Sequence, residues 1–299
     1  MSATIVVNSA AARRTATLLG GVAIVLWSSL ALFTALTGAV PPLQLTACSF
    51  AIGFLLALAK WLWFRESIVA HLTLPPLAWA VGVAGLFGYH ALYFLALRLA
   101  PPAEASLLNY LWPLLIVLFS ALLPGERLRW FHLAAALAGL AGTALLVTGG
   151  GFALRADYIG GYAAALACAF AWAIYSVASR RLAAVPTDAV GGFCLVTAIL
   201  ALIGHLAFET THWPETGLQW LALLALGLGP AGSAFFFWDF GIKRGDIRAL
   251  GAAAYAAPLL STLLLVGFGL ASPSWTLGVA CALIAGGGAL GAGDLFKRG

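Results

Sequence analysis

Few side chains in this sequence could do chemistry, and most of them stand inside apolar runs. Residues 104–115 read EASLLNYLWPLL, with Asn109, Tyr110, Trp112 and Pro113; residues 249–260 read ALGAAAYAAPLL, with Tyr255 and Pro258. Tyr89, His90 and Tyr93 form another group, Trp27 stands beside Ser28 and Ser29, Trp172 near Tyr175 and Ser176, and Ser233 near Phe237 and Trp238. Rings, hydroxyls, an amide and an imidazole can hold a solute without reacting with it. Bond-breaking machinery is missing: no Ser–His pair has recognisable spacing, and there is no HExxH or acidic metal cluster. The expectation is a binding cavity, with no catalytic residue, no metal and no cofactor, in a protein that is not an enzyme.

The elements that position these residues follow from composition. The 299 residues are 63% hydrophobic and only 8% charged, with a mean hydropathy of +1.03. A soluble domain carries about 25% charged residues, so this is an integral membrane protein. Apolar runs of roughly 17–25 residues can each cross a bilayer. They fall near 16–38, 42–63, 76–97, 102–123, 130–149, 157–179, 188–208, 216–241, 247–270 and 274–294, ten helices with short loops and no soluble domain. The run 216–241 is the least regular, with Gly227, Gly229, Pro230 and Gly232 in its middle.

Lysine and arginine orient the bundle, because cytoplasmic loops hold their excess. With the N-terminus inside, thirteen of the fifteen lie in cytoplasmic segments and only Arg98 and Arg155 on the other side. Both termini are therefore expected in the cytoplasm. The net charge of +5 has the same origin and calls for no nucleic-acid partner. Arg13-Arg14 flanks the first span rather than forming an export signal. Cys48, Cys168, Cys194 and Cys281 all fall in apolar spans without CxxC spacing and are expected as small buried hydrophobes.

A shift of 145 positions superposes the two Tyr-x-x-Pro segments. It also pairs Trp27 with Trp172, Pro41 with Pro186, Gly82 with Gly227, Arg98 with Lys243, Trp130 with Trp275 and Gly142 with Gly287. Rare residues agreeing at one offset predict an internal duplication, 1–150 and 151–299, together one transport domain. Five helices per half turn the second copy upside down, the plan of many secondary transporters, whose substrate site lies between repeats near the midplane. Pro113 and Pro258 are then matched kinks, which a membrane tolerates where the freed backbone faces a cavity or other protein groups.

Polar groups in hydrocarbon are costly and mark candidate sites. The expected cavity residues are Trp27, Tyr89, His90, Tyr93, Asn109, Tyr110, Trp112, Trp172, Ser233, Phe237, Trp238 and Tyr255. His90 could line the cavity, carry a proton, or merely pack. Trp61, Trp63, Trp79, Trp130, Trp213, Trp220 and Trp275 suit the membrane interface. All ten acids fall in loops or near span ends, so the cavity carries no fixed charge and suits a zwitterionic or amphipathic solute. Asp239 and Glu104, at opposite ends, could gate or cap helices. The small-residue spacings Gly287-x-x-x-Gly291 and Ala138-x-x-x-Gly142 suit close helix packing, within a monomer or in a homodimer.

Two inverted five-helix halves, Gly125-Glu126-Arg127-Leu128 before a Gly-rich fifth span, and Trp27-Ser28 and Trp172-Ala173 in the first span of each half resemble the EamA-type branch of the drug/metabolite transporter superfamily. The segments Ala103-Glu104-Ala105 and Asn109-Tyr110-Leu111-Trp112-Pro113 are similar to its aromatic amino-acid exporters. The resemblance implies a multi-pass protein of the bacterial inner membrane that moves amino acids, aromatic ones included, with amphipathic cations as alternative cargo. It also implies a cavity supplied largely by helices three, four, eight and nine. Ala271 stands where Glu126 would recur, and span one lacks the carboxylate through which small relatives couple to protons.

Overall fold

The computed structural model describes residues 10–124, 128–149, 151, 155–270 and 272–291. Gly125, Glu126, Arg127 and Ala271 lie outside the described residues, whereas Leu128 lies within them. Among the described residues the regular structure is helical, with no strand. Nine helices there are long and apolar enough to cross a membrane: Ala10–Leu36, Pro42–Trp63, Pro76–Leu99, Pro102–Ser120, Trp130–Thr148, Ala156–Arg181, Ala189–Phe208, Gly217–Arg244 and Ile247–Gly267. They are spans one to nine; span ten is the shorter helix Trp275–Gly291. Most expected boundaries hold within about three residues, but span one is already helical at Ala10, the first described residue, six residues before the expected start.

Departures from regular helix recur with the sequence repeat. Span three passes through a π-helical turn at Ala84–Gly88 and span eight through one at Gly229–Ser233, offset by the same 145 positions. The glycines and proline that made span eight look irregular thus widen one turn without ending the helix. Span four is interrupted between Asn109 and Trp112, and span nine between Ala253 and Ala256. Each proline falls in the first turn of the helix that follows, where a missing N–H costs little. Span one also opens at Ser29, whereas its counterpart, span six, runs without interruption through Ile159–Arg181.

Packing respects the same exchange. Spans two and seven, four and nine, and five and ten pair with their own counterparts, while span one lies along span eight as span six lies along span three. Small residues allow these crossings, as van der Waals packing in lipid requires. A Cβ on Gly20 would lie 2.9 Å from the Gly241 Cα. The shift-related Ala165 and Ala96 belong to one buried cluster. Gly142 packs against Ile284 and Ala280, and Gly287 against Ala135 and Ala138, so these small-residue faces meet each other inside the chain.

Charged groups tie the ends. Where lysine and arginine concentrate, Asp246 accepts from Arg13 Nη2 at 3.0 Å, and its backbone N–H donates to Thr17 Oγ1 at 2.8 Å. Arg180 donates to the carbonyls of Ile242 and Gly245. Asp239 is 1% exposed and pairs with Lys243 Nζ at 2.8 Å, one turn away. At the opposite end the Tyr162 hydroxyl donates to Glu104. There Glu209 accepts from the backbone N–H groups of Leu43 and Gln44, capping span two.

Candidate functional site

Four tryptophans from four spans converge in the middle of the bundle. Trp27 lies 5.6 Å from Trp172, 5.1 Å from Trp238 and 6.2 Å from Trp112, measured between ring centroids. Trp112 stands edge-on to Trp238 at 5.8 Å, and Trp172 stacks on Trp238 at 6.2 Å. Edge-to-face and offset contacts at 4.5–7 Å are the favoured aromatic geometries. The cluster continues through Phe235 to Phe50 and His90, and through Tyr89 to Tyr93. Two ring pairs join shift-related residues: Trp27 with Trp172, and His90 with Phe235 at 6.2 Å. Residues equivalent in the two halves touch only near the axis that exchanges the halves, so the cluster sits on that axis.

Each anchoring side chain is held by its helix. Trp238 Nε1 donates to Ser176 Oγ at 3.0 Å, joining spans eight and six. Trp112 opens the second piece of span four, so the interruption at 110–111 aims its ring. His90 Nδ1 donates to the Leu86 carbonyl at 2.7 Å, within the π-helical turn of span three. That bond places the proton on Nδ1 and leaves Nε2 as an acceptor.

Polar groups line one flank. The buried Asn109 donates through Nδ2 to the Tyr89 hydroxyl at 3.0 Å, and Tyr93 pairs with Ser106 at 3.0 Å. Cys168 donates to Asn109 Oδ1 at 3.2 Å. The expectation of a merely hydrophobic cysteine therefore misses its part in this network. The network joins spans three, four and six, and it contains no charged side chain.

Other expected site residues fall elsewhere. Ser233 Oγ donates to the Leu228 carbonyl at 2.6 Å, closing its own π-helical turn. Phe237, like Trp27, is half-buried and packs against the cluster that holds Trp112, Trp172 and Trp238. Tyr110, by contrast, is half-buried at the interruption of span four, close to Tyr89 and Tyr93 of the polar flank. Tyr255 is fully buried in a separate cluster with Val117, Ala136 and Leu259, its ring over Gly139 where a Cβ would overlap it. Trp61, expected at the membrane interface, is also fully buried and stacks on His71 at 4.7 Å. Phe50 escaped the sequence reading because a phenylalanine in an apolar span carries no signal of its own; Phe235 and Tyr175 carried only the weak one of lying near Trp238 and Trp172.

Glu66, His71 and Asp188 bring one potential ligand atom each within 4.8 Å of one another. Lys60 Nζ already bonds both carboxylates, at 3.1 and 2.8 Å, and supplies the positive charge that group calls for.

Comparison with known proteins agrees with this architecture. The EamA-like transporter family matches residues 14–148 and again 159–291. This chain belongs to that family. The second match begins 145 positions after the first, at the offset found in the sequence and in the backbone. An aromatic amino acid exporter of Ancylobacter novellus is 58% identical over 280 residues, which cover 93% of this chain and 97% of that protein. An aromatic amino acid exporter of Escherichia coli K12 is 27% identical, covering 84% of this chain and 88% of that protein. A crystal structure of a protein 57% identical in sequence superposes with a TM-score of 0.90, covering 96% of this chain and 99% of the other. As a member of the EamA-like family, this chain is a multi-pass membrane transporter and not an enzyme.

Proposed function

We propose that this chain carries amino acids, aromatic ones included, across the bacterial inner membrane, as an exporter or passive facilitator working by alternating access. The observation that carries this reading is the uncharged tryptophan cluster on the axis between the halves, with an amide, hydroxyls and an imidazole on its flank. Trp27, Trp112, Trp172, Trp238 and Tyr89 hold the apolar side chain by stacking and edge contacts. Asn109 and His90 meet the amino and carboxylate groups, which need hydrogen bonds once out of water. The halves 1–150 and 151–299 are the two moving units, and matched interruptions in spans four and nine let each half bend alike. Occupancy is brief, because a carrier must release what it takes in.

Proteoliposomes loaded with labelled tryptophan or threonine test this reading, without and with an imposed pH gradient. Equilibrating flux that ignores the gradient identifies a facilitator and leaves His90 as a lining residue. Concentrative flux makes His90 the first residue to mutate as a coupling group. No flux of either amino acid, with competition by amphipathic cations instead, would overturn the assignment.

A further inference from the structure

A groove of about 700 Å³ runs along the bundle surface between spans one and nine. Its walls are Val25, Leu26, Ser28, Ser29 and Phe33 from span one, and Leu260, Leu263, Leu264, Gly267 and Phe268 from span nine and its end. Both stretches lie in the second half of spans that run away from the arginine-rich end. By the charge asymmetry that half is the outer leaflet. The walls are apolar, and Ser28 and Ser29 turn their hydroxyls onto the carbonyls of Val25 and Leu26, at 2.6 and 2.7 Å.

The repeat supplies a counterpart for comparison. Between spans six and four, the place related by the 145-residue shift, two rings span the cleft. Phe170 stands where span one has Val25, Phe119 where span nine has Leu264, and their rings meet at 5.9 Å. Leu122 likewise stands where span nine has Gly267. One cleft thus carries a phenylalanine contact across it, where its twin in the opposite leaflet has the smaller Val25 and Leu264.

We propose that a phospholipid acyl chain of the outer leaflet occupies the open groove. Each wall covers eight residue steps, about 12 Å of helix, which fits within one leaflet of a hydrocarbon core of about 30 Å. With both serine hydroxyls bonded to their own helix, the walls offer no free side-chain donor to a headgroup or a peptide. The rim is continuous with the lipid-facing belt, since Val25, Leu30, Leu263 and Phe268 are all exposed. Leu26 and Ser28 flank Trp27 in sequence, so the seated chain braces span one where its helix opens.

The test uses proteoliposomes containing a phospholipid with a photoactivatable group in mid-chain, followed by peptide mapping. Labelling of residues 25–33 and 260–268 should exceed, severalfold, that of the equally exposed Ile199, Leu202, Ile203 and Leu206 face of span seven. The V25F/L264F double variant, which copies the phenylalanine pair, should bring the groove down to the span-seven level. Gly267→Leu copies Leu122 into open space and should reduce labelling as well, deciding the matter if the double variant fails to fold. Equal labelling of groove and span seven in the unaltered protein, or labelling indifferent to Gly267→Leu, would sink the proposal.

Discussion

The two Tyr-x-x-Pro segments share a sequence and nearly share a backbone, yet their tyrosines live in different surroundings. Tyr110 is half-buried at the interruption of span four, near Tyr89 and Tyr93. Tyr255 is fully buried against Gly139 of span five, inside the scaffold. The proline at i+3 sets where each helix opens. What the tyrosine then does depends on the residue across from it. Opposite Tyr255 is a glycine that makes room for a ring; the position related to Gly139 by the repeat is Ile284, which leaves no such seat. The two segments bend alike, and the neighbours of their tyrosines differ.

That division can be broken at either segment. The largest effect belongs to the scaffold: Tyr255→Ala empties a fully buried site and should cost about 3 kcal/mol or more, read as earlier thermal unfolding in detergent. Gly139→Ala should lower stability from the other side of the same contact by placing a methyl group into the ring. Next come the tryptophans. Trp112→Ala or Trp172→Ala should weaken an aromatic substrate by about 2 kcal/mol, roughly 30-fold, with threonine flux less affected. Tyr110→Ala should slow flux of bulky aromatic substrates by about fivefold, for a contact worth about 1 kcal/mol, while leaving the unfolding temperature close to that of the unaltered protein. If Tyr110→Ala destabilised as much as Tyr255→Ala, the division between site and scaffold would fail.

The smallest effect separates the two ends of the bundle. Burial pushes the Asp246 carboxyl upward, but hydrogen bonding from Arg248 and the charges of Arg248 and Arg13 outweigh it and hold the group below the ordinary aspartate range. A carboxylate with a lowered folded pKa stabilises fully above its unfolded value of about 4 and loses that contribution as pH falls through the folded value. Unfolding temperatures should therefore drop in acid for the unaltered protein. Asp246→Asn should start lower at neutral pH and show a shallower acid drop. The Glu104–Tyr162 contact lies at the other end of the bundle, so Tyr162→Phe should leave this acid response in place.

Much of the site was legible because membranes make polarity conspicuous. Trp27, Trp112, Trp172 and Trp238 stood out as large polarisable rings deep in apolar runs, and the structure brings all four together. Asn109 stood out as an amide in hydrocarbon, and its partners Tyr89 and Cys168 supply the bonds it needs. Ser233 looked equally promising, yet the widened turn beneath it left a carbonyl that its own hydroxyl satisfies. A serine in a regular helix and one in a π-helical turn are identical in sequence. Trp61 misled for the opposite reason: a span-end tryptophan suits the interface unless the next segment folds back over it, as His71 does here.

By itself the sequence determined the membrane class, the number and approximate limits of the spans, the repeat and the places where helices bend. Each follows from local quantities: hydropathy over a bilayer's thickness, the missing N–H of proline, and rare residues recurring at a constant offset. Only the tertiary structure decided which faces meet. It put Trp27 beside Trp172 on the axis, turned Tyr255 into the scaffold, and set Phe119 against Phe170 across one lateral cleft while leaving a groove at its twin. Those outcomes depend on pairs of residues from different spans, and no property of one helix states which neighbour it will find.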